Sequence, residues 1–572
     1  MKAGEILISG IFNSSRLLEV PFYQRAYVWK EEQWERLLDD LKYVTKTRKQ
    51  YFMGSIILKQ GRKPSTWDHY SDCKVVIDGQ QRLTTLIIFM KVLCLKKNED
   101  QYFQRDFILE DNSMALRHGE CDREAFEKVT RASEAVPMEN PEPKSQVIEA
   151  FNYFCKNIDK DMYDRNCIRQ NIQFVCIDLA PDEDEQQVFD TINSLGVKLT
   201  TAELLKNYFF NQNNIEDYKQ KWAGVFEKDE DAKIYWDTEV ETGRIRRSMI
   251  DIFFDAYFQQ FVQNSVFGVN ADDKALYARA DHLAKSYQYF VSNYCNGDKD
   301  VVLSPLKEYA DIFRKTFDFS SCSRSISAAY GIDRLNVIIF GLRNTTLIPY
   351  VLYIAKNVVD QNEFNRICNI LESYIMRRIV VHASTKNYNN MFLSLILNKI
   401  VNADSLKAYL EQRNDNTTYI PSDNDLKIGF QASKLYNIQT KGILYLIESG
   451  IRPVNSSTAL LGFNGYSLEH LMPKKWRNNW PACETESLAK ERDSKLLTLG
   501  NLAIITQSLN ASIRDSDWKN KKDGKKNKPG LKSCAAGLIT LNDALAKDAW
   551  DESKINERAD WLYEEASKLW KI

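Results

Sequence analysis

The sequence predicts an α+β chain of several domains, mostly helical, with its strands concentrated towards the amino terminus. Three observations carry that expectation. Short apolar runs bounded by polar or glycine residues lie before residue 80, helical periodicity dominates from about Glu216 to Arg413, and 572 residues exceed what one core normally holds. Hydrophobic residues at 44% and charged residues at 27% suit a globular chain and exclude disordered, collagen-like and disulfide-stapled classes. The 77 Lys and Arg against 78 Asp and Glu leave a net charge of −1, so binding to nucleic acid requires a local basic patch.

In chain order, Trp34, Leu37, Leu38 and Leu41 fall at i, i+3, i+4 and i+7 and predict an amphipathic helix over 31–44. Ser55 to Leu58 and Lys74 to Ile77 read as strands, and a long helix runs on from Leu83. Residues 110–146 are charged and carry Pro137, Pro141 and Pro143, which reads as an exposed excursion. Phe174 to Leu179 reads as a strand, followed by a helix from about Asp184, a break at Gly196 and a second helix opened by a Thr200-x-x-Glu203 capping box. The polar stretch Asn414 to Thr418, with Pro421 behind it, marks a boundary. The expected domains are therefore 1–215, 216–420 and 421–572.

Eleven cysteines, an odd number without a CxxC pair, point to reduced thiols in a cytosol. The longest apolar run, Leu83 to Leu95, is too short to span a bilayer, and the first residues lack a secretory profile, so we expect a cytoplasmic chain without a membrane partner.

Three clusters in the first half of the chain suggest chemistry. In Val75 to Thr85, a strand ends at Asp78, Gly79 allows a tight turn, and Gln80, Gln81, Arg82, Thr84 and Thr85 fall where a helix begins. Free N–H groups there make an anion site, with Arg82 to clamp phosphate, Thr84 or Thr85 to donate hydroxyls, and Asp78 to hold a metal ion or orient a water. Tyr23, Gln24 and Arg25 add a second Gln-Arg pair among aromatics, and Phe189 to Gly196, with Lys206 and Asn207, adds a third block. Taken singly, these blocks also suit a capped helix start, a hydrophobic staple and a helix C-terminal turn.

Together the blocks resemble the family of domains of unknown function numbered 262, whose hallmark is D-G-Q-Q-R. The resemblance covers roughly residues 5–215. It implies a ParB/sulfiredoxin-like α/β fold that binds and hydrolyses a nucleoside triphosphate, with Tyr23, Gln24, Arg25, Asp78, Gly79, Gln80, Gln81, Arg82, Thr84, Asn193 and Lys206 in or near the site.

Near the other end, Glu469-His470-Leu471-Met472-Pro473 precedes Gly500-Asn501-Leu502 and Asn510, in a chain with only five His. Phosphodiester hydrolysis needs a base and a divalent ion. His470 is the candidate base, Glu469 and Asn510 are oxygen donors suited to Mg²⁺ or Mn²⁺, and Asn501 would orient the imidazole or bind the ion. From about Pro421 onwards the chain resembles the family numbered 1524, a branch of the HNH, ββα-metal nucleases. It departs from that superfamily in having no His after His470, a place that Asn510 would fill.

Between Arg514 and Lys532, seven Lys and one Arg face three Asp, an excess of about +5, and Lys519, Lys521, Lys522 and Lys525 read as DNA-phosphate contacts or as a solvated charged loop. The two resemblances in this order imply a GmrSD-type restriction protein: an NTP-dependent or NTP-regulated endonuclease that cuts or nicks modified foreign double-stranded DNA in phage defence, in some cases as a homodimer. A nucleotide-switched DNA sensor without enzymatic activity and an unspecific DNA-nicking toxin are the alternatives.

Overall fold

A computed structural model describes residues 2–13, 15–22, 24–61, 72–142, 144–180, 200–210, 214–243, 245–278, 282–453, 458–525 and 528–572. The chain divides into two compact units, residues 1–224 and 225–572, and is mostly helical with a mixed sheet in the first.

In the first unit, β1 (Lys2–Leu7), β2 (Arg16–Glu19), β3 (Tyr51–Gln60), β4 (Asp72–Asp78), β5 (Leu116–Arg117) and β6 (Ile172–Leu179) form one sheet in the order β1-β6-β3-β4-β2-β5. β3 runs parallel to β6 and antiparallel to β4, and β2 runs parallel to β4. Side chains alternate along a strand, so Ile56, Leu58 and Val76 enter the main core while Ile57, Val75 and Ile77 join Ile177 and Leu179 in a smaller cluster. Burial of both faces explains why these strands read as unbroken apolar runs.

Against the sheet lies the helix Gln80–Lys96, buried all round from Leu83 to Cys94, with Lys91 paired to Asp100 at 2.7 Å. The helix Glu31–Thr47 buries Trp34, Leu37, Leu38 and Leu41, the face that its spacing predicts. The capping box at Thr200 closes in both directions at the head of the helix Thr201–Phe209. Residues 110–146 depart from expectation. β5 pairs with β2, and the helix Glu120–Thr130 places Phe126 and Val129 in the core, so only the proline-bearing part from about 131 stays largely exposed. The helix and break expected over 184–196 lie outside the described residues.

The second unit is built from helices, with a short hairpin that periodicity did not reveal, β7 (Glu239–Thr242) with β8 (Ile245–Ser248). Its helix Gln361–Val380 fastens distant chain by side chains. Arg378 donates to the carbonyls of Ser384, Thr417 and Tyr419, and Arg377 to those of Pro421 and Trp570 and to Asp423. The polar stretch at 414–421 is thereby held against this helix, and residues on both sides of it share one unit. Further on, β9 (Ser467–His470) and β10 (Leu502–Ile505) pair antiparallel with Leu502 opposite His470, followed by the helices Gln507–Ile513 and Trp518–Asp523 and the long helix Glu552–Leu569. Among the described residues no helix is long and apolar enough to cross a membrane, and the cysteines form no disulfide.

Candidate functional sites

At the β4–helix junction of the first unit, Gly79 adopts φ 100° and begins the helix without a side-chain cap, so the first-turn N–H groups lie beside Asp78 and Arg82. Arg82 pairs with Asp78 at 3.0 Å, both partly exposed. Its guanidinium crosses Gly54, whose φ of 121° favours glycine and where an added Cβ, 2.2 Å from Nη1, would push the guanidinium aside.

The amides beside this pair do not face outward. Gln24 donates to the carbonyls of Val76 and Ile77, Gln80 donates to that of Arg25, and Gln81 both donates to the Ala26 carbonyl and accepts from the Val28 N–H. Thr84 is buried, donating to the Gln80 carbonyl and lying 2.9 Å from His118 Nε2. Gln24, Gln80, Gln81 and Thr84, expected to line a nucleotide site, thus spend these groups on the protein itself. They close a buried seam between the segment 24–28 and the head of the helix, because the backbone groups of that segment need partners out of water. Arg25 is half-buried, and Lys206 is buried, 6.0 Å from the centre of the Tyr218 ring. Tyr23 and Asn193 lie outside the described residues. Among the described residues, Arg82, Arg25 and the helix head carry the positive charge and N–H groups that an anion would need, with Asp78 paired to Arg82.

In the second unit, β9 ends at His470, and the chain turns through Leu471, Met472 and Pro473. Asn501 holds that turn. It is fully buried, accepts from the Met472 N–H and the Trp550 indole, and donates to the carbonyls of Met472 and Leu496. All its hydrogen-bonding capacity goes to backbone and indole, so its expected role as orienter of the imidazole or metal ligand is replaced by that of a clamp on the turn. Gly500 lets the helix Glu552–Leu569 approach: a Cβ there would lie 2.0 Å from the Ile555 carbonyl oxygen. From that helix the buried Arg558 donates to the carbonyls of Leu499, Gly500, Leu502 and Thr540, and burial pulls its guanidinium down to about 10. Arg558→Met should strand these carbonyls and destabilise the unit by about 3 kcal/mol, read as a lower midpoint in chemical denaturation.

The His470 ring is half-buried, and its Nε2 is buried without a hydrogen-bond partner among the described residues. Burial, helped by the charges of Lys474 and Lys521, pushes the imidazole down to about 4, so it is neutral at neutral pH. Lys474 and Lys475 are exposed. This dibasic pair lies outside the Lys519–Lys525 run and directly follows Pro473 in the sequence.

Of the two oxygen donors expected beside His470, Glu469 is engaged by a cation. Glu469 and Lys521 form an ion pair with side-chain exposures of 6% and 0%, and Lys521 Nζ also donates to the His470 carbonyl at 2.6 Å. Burial pulls the Lys521 ammonium below its ordinary value and pushes the Glu469 carboxyl above its own, each opposed by the partner's charge. Asn510 donates its amide to the Leu468 carbonyl and to Ser467 Oγ. Among the described residues no three His, Cys, Asp or Glu side chains gather to hold a metal ion. An ion drawing on Glu469 would first have to displace Lys521, whereas the hydrogen bonds of Asn510 use its amide nitrogen and not its oxygen.

The basic run is divided by helix phase. Lys519 and Lys525 are exposed, whereas Lys521 and Lys522 share the inward face with Trp518, and Lys522 donates to the Lys547 carbonyl. The DNA-contact expectation is thus corrected for Lys521 and Lys522, whose ammonium groups have protein partners in the interior.

Residues 8–210 match the N-terminal domain of the GmrSD restriction endonuclease, and residues 402–565 match the C-terminal domain of the GmrSD restriction endonucleases. No curated protein matches the chain. The two matches support a restriction or defence nuclease that acts on DNA.

Proposed function

We propose that this chain, whose two ends match the GmrSD restriction endonuclease family, cuts or nicks modified foreign DNA under control of a nucleoside triphosphate, in a cytoplasmic defence role. The observation that carries the nuclease part is His470, a neutral imidazole with an unpartnered Nε2, next to a turn locked by Asn501 that ends in exposed lysines. In this reading a water that reaches Nε2 gives it a proton and attacks phosphorus, the P–O3′ bond breaks with the departing 3′ oxygen taking a proton from solvent, and Lys474, Lys475, Lys519 and Lys525 hold the DNA backbone. The strand–strand–helix order of β9, β10 and Gln507–Ile513 favours an HNH-like ββα reading, and the mixed sheet of the first unit favours a ParB-like one. No step is assigned to a divalent ion.

Nucleotide would bind at Arg82, Arg25 and the head of the helix Gln80–Lys96, where phosphate meets a guanidinium and uncapped N–H groups. Control of cutting requires that nucleotide favour one of two states of the chain. The experiment is a nucleotide titration of DNA cleavage by the wild type and Arg82→Ala, using unmodified and glucosylated plasmid. The variant's midpoint should rise at least tenfold, and superimposable curves would remove nucleotide control.

The closed Glu469–Lys521 pair favours a second reading, a sensor that binds DNA without cutting it. That reading predicts plasmid binding with no change in plasmid topology under any nucleotide.

A further inference from the structure

We propose that Lys521 is a positioning residue for His470: its buried ammonium, anchored by Glu469, fixes the backbone at the end of β9 and thereby the direction in which the imidazole points. The inference rests on the nuclease reading of His470. Among the described residues nothing holds the ring by its Nε2, and side chains at 469 and 470 leave the strand on opposite faces, so ring direction depends on the backbone that carries it. That backbone is fastened at consecutive points. Leu502 lies opposite His470 in the hairpin, Lys521 donates to the His470 carbonyl, the Leu471 N–H donates to the Asn501 carbonyl, and Asn501 clamps Met472 at both its N–H and its carbonyl.

The Lys521 contact falls at His470 itself, while another helical side chain, Asn510, fastens β9 earlier, at Ser467 and Leu468. Lys521 stands on Trp518–Asp523, a helix capped at Asp517 and seated by Trp518, which stacks on Trp550 with ring centroids 5.2 Å apart. The Trp550 indole in turn donates to Asn501. One packed group of residues thus supports both fasteners of the turn. Packing alone would not require charge here, since an apolar pair of similar volume generally replaces a buried ion pair at little loss of stability. A hydrogen bond to a carbonyl, by contrast, fixes direction.

The test compares the full-length wild type with Lys521→Met, Lys521→Met/Glu469→Leu and Lys521→Arg. It reads thermal midpoint, affinity for a labelled duplex, and single-turnover cleavage of plasmid at saturating protein. The double variant is included because Lys521→Met alone leaves a buried carboxylate unpaired. We expect it to keep the midpoint within a few degrees and duplex affinity within about twofold while cleaving about 10- to 100-fold more slowly, with Lys521→Arg recovering most of the rate. Wild-type cleavage by the double variant overturns the proposal. So does a rate loss matched by an equal loss of affinity, which makes Lys521 a DNA contact, and so does loss of the fold, which makes the pair structural. His470→Ala runs alongside: if it cuts like the wild type, the nuclease reading has failed and positioning falls with it.

Discussion

Replacing Arg334 by methionine is expected to destabilise the second unit by about 3–5 kcal/mol. Arg334 and Glu372 have side-chain exposures of 0% and 1% and meet in two parallel hydrogen bonds of 2.8 and 2.6 Å. The guanidinium also donates to Ser449 Oγ and the Leu446 carbonyl, and the Trp570 indole donates to Glu372. Removing the arginine leaves a carboxylate buried with only that indole, so the penalty is the desolvation of an unpaired charge. Urea denaturation should show a lower midpoint with an unchanged slope, and Arg334→Met/Glu372→Leu should regain much of the loss. The same network joins residues 334–377 to 446–449 and to Trp570, so a fragment starting at Pro421 should melt without a cooperative transition in circular dichroism. A fragment as stable as the whole unit would show that the network carries little.

Local spacing made part of this molecule legible. The apolar phase of Trp34 to Leu41, the strand runs at 55–58 and 74–77, and the Thr200–Glu203 box each depend on residues a few positions apart, and each is where its pattern places it. The core role of Phe126 and Val129 was hidden by the charged residues around them, which occupy the outer face of their helix. At the candidate sites, residue types were legible and their partners were not. Gln24, Gln80 and Gln81 bond backbone 52 to 55 positions away, and Lys521 bonds Glu469 and His470 at comparable distance. A run of polar residues does not reveal which of them are satisfied inside. One signal was available for the basic run: Trp518, Lys521 and Lys522 fall at i, i+3 and i+4, the spacing of a buried stripe.

His470→Ala is expected to lower DNA cleavage by roughly 10²- to 10⁴-fold, the usual contribution of a positioned general base. Because Nε2 makes no hydrogen bond to the described residues, the substitution leaves no protein donor or acceptor stranded at that atom, and the fold should survive. The sign of the pH dependence follows from the depressed imidazole. A base that protonates near 4 stays active as pH falls through 6.5, so the acid limb of the wild-type rate should lie well below the usual histidine range. A limb centred near 6.5 would mean a solvated imidazole instead of the buried one described here.

The measurement that bears most directly on the nuclease assignment is single-turnover conversion of supercoiled glucosylated plasmid, with nucleotide present, by wild-type protein and His470→Ala matched for folding and DNA affinity. The account predicts nicked or linear product from the wild type and at least a hundredfold less from the variant. Equal product from both would contradict it.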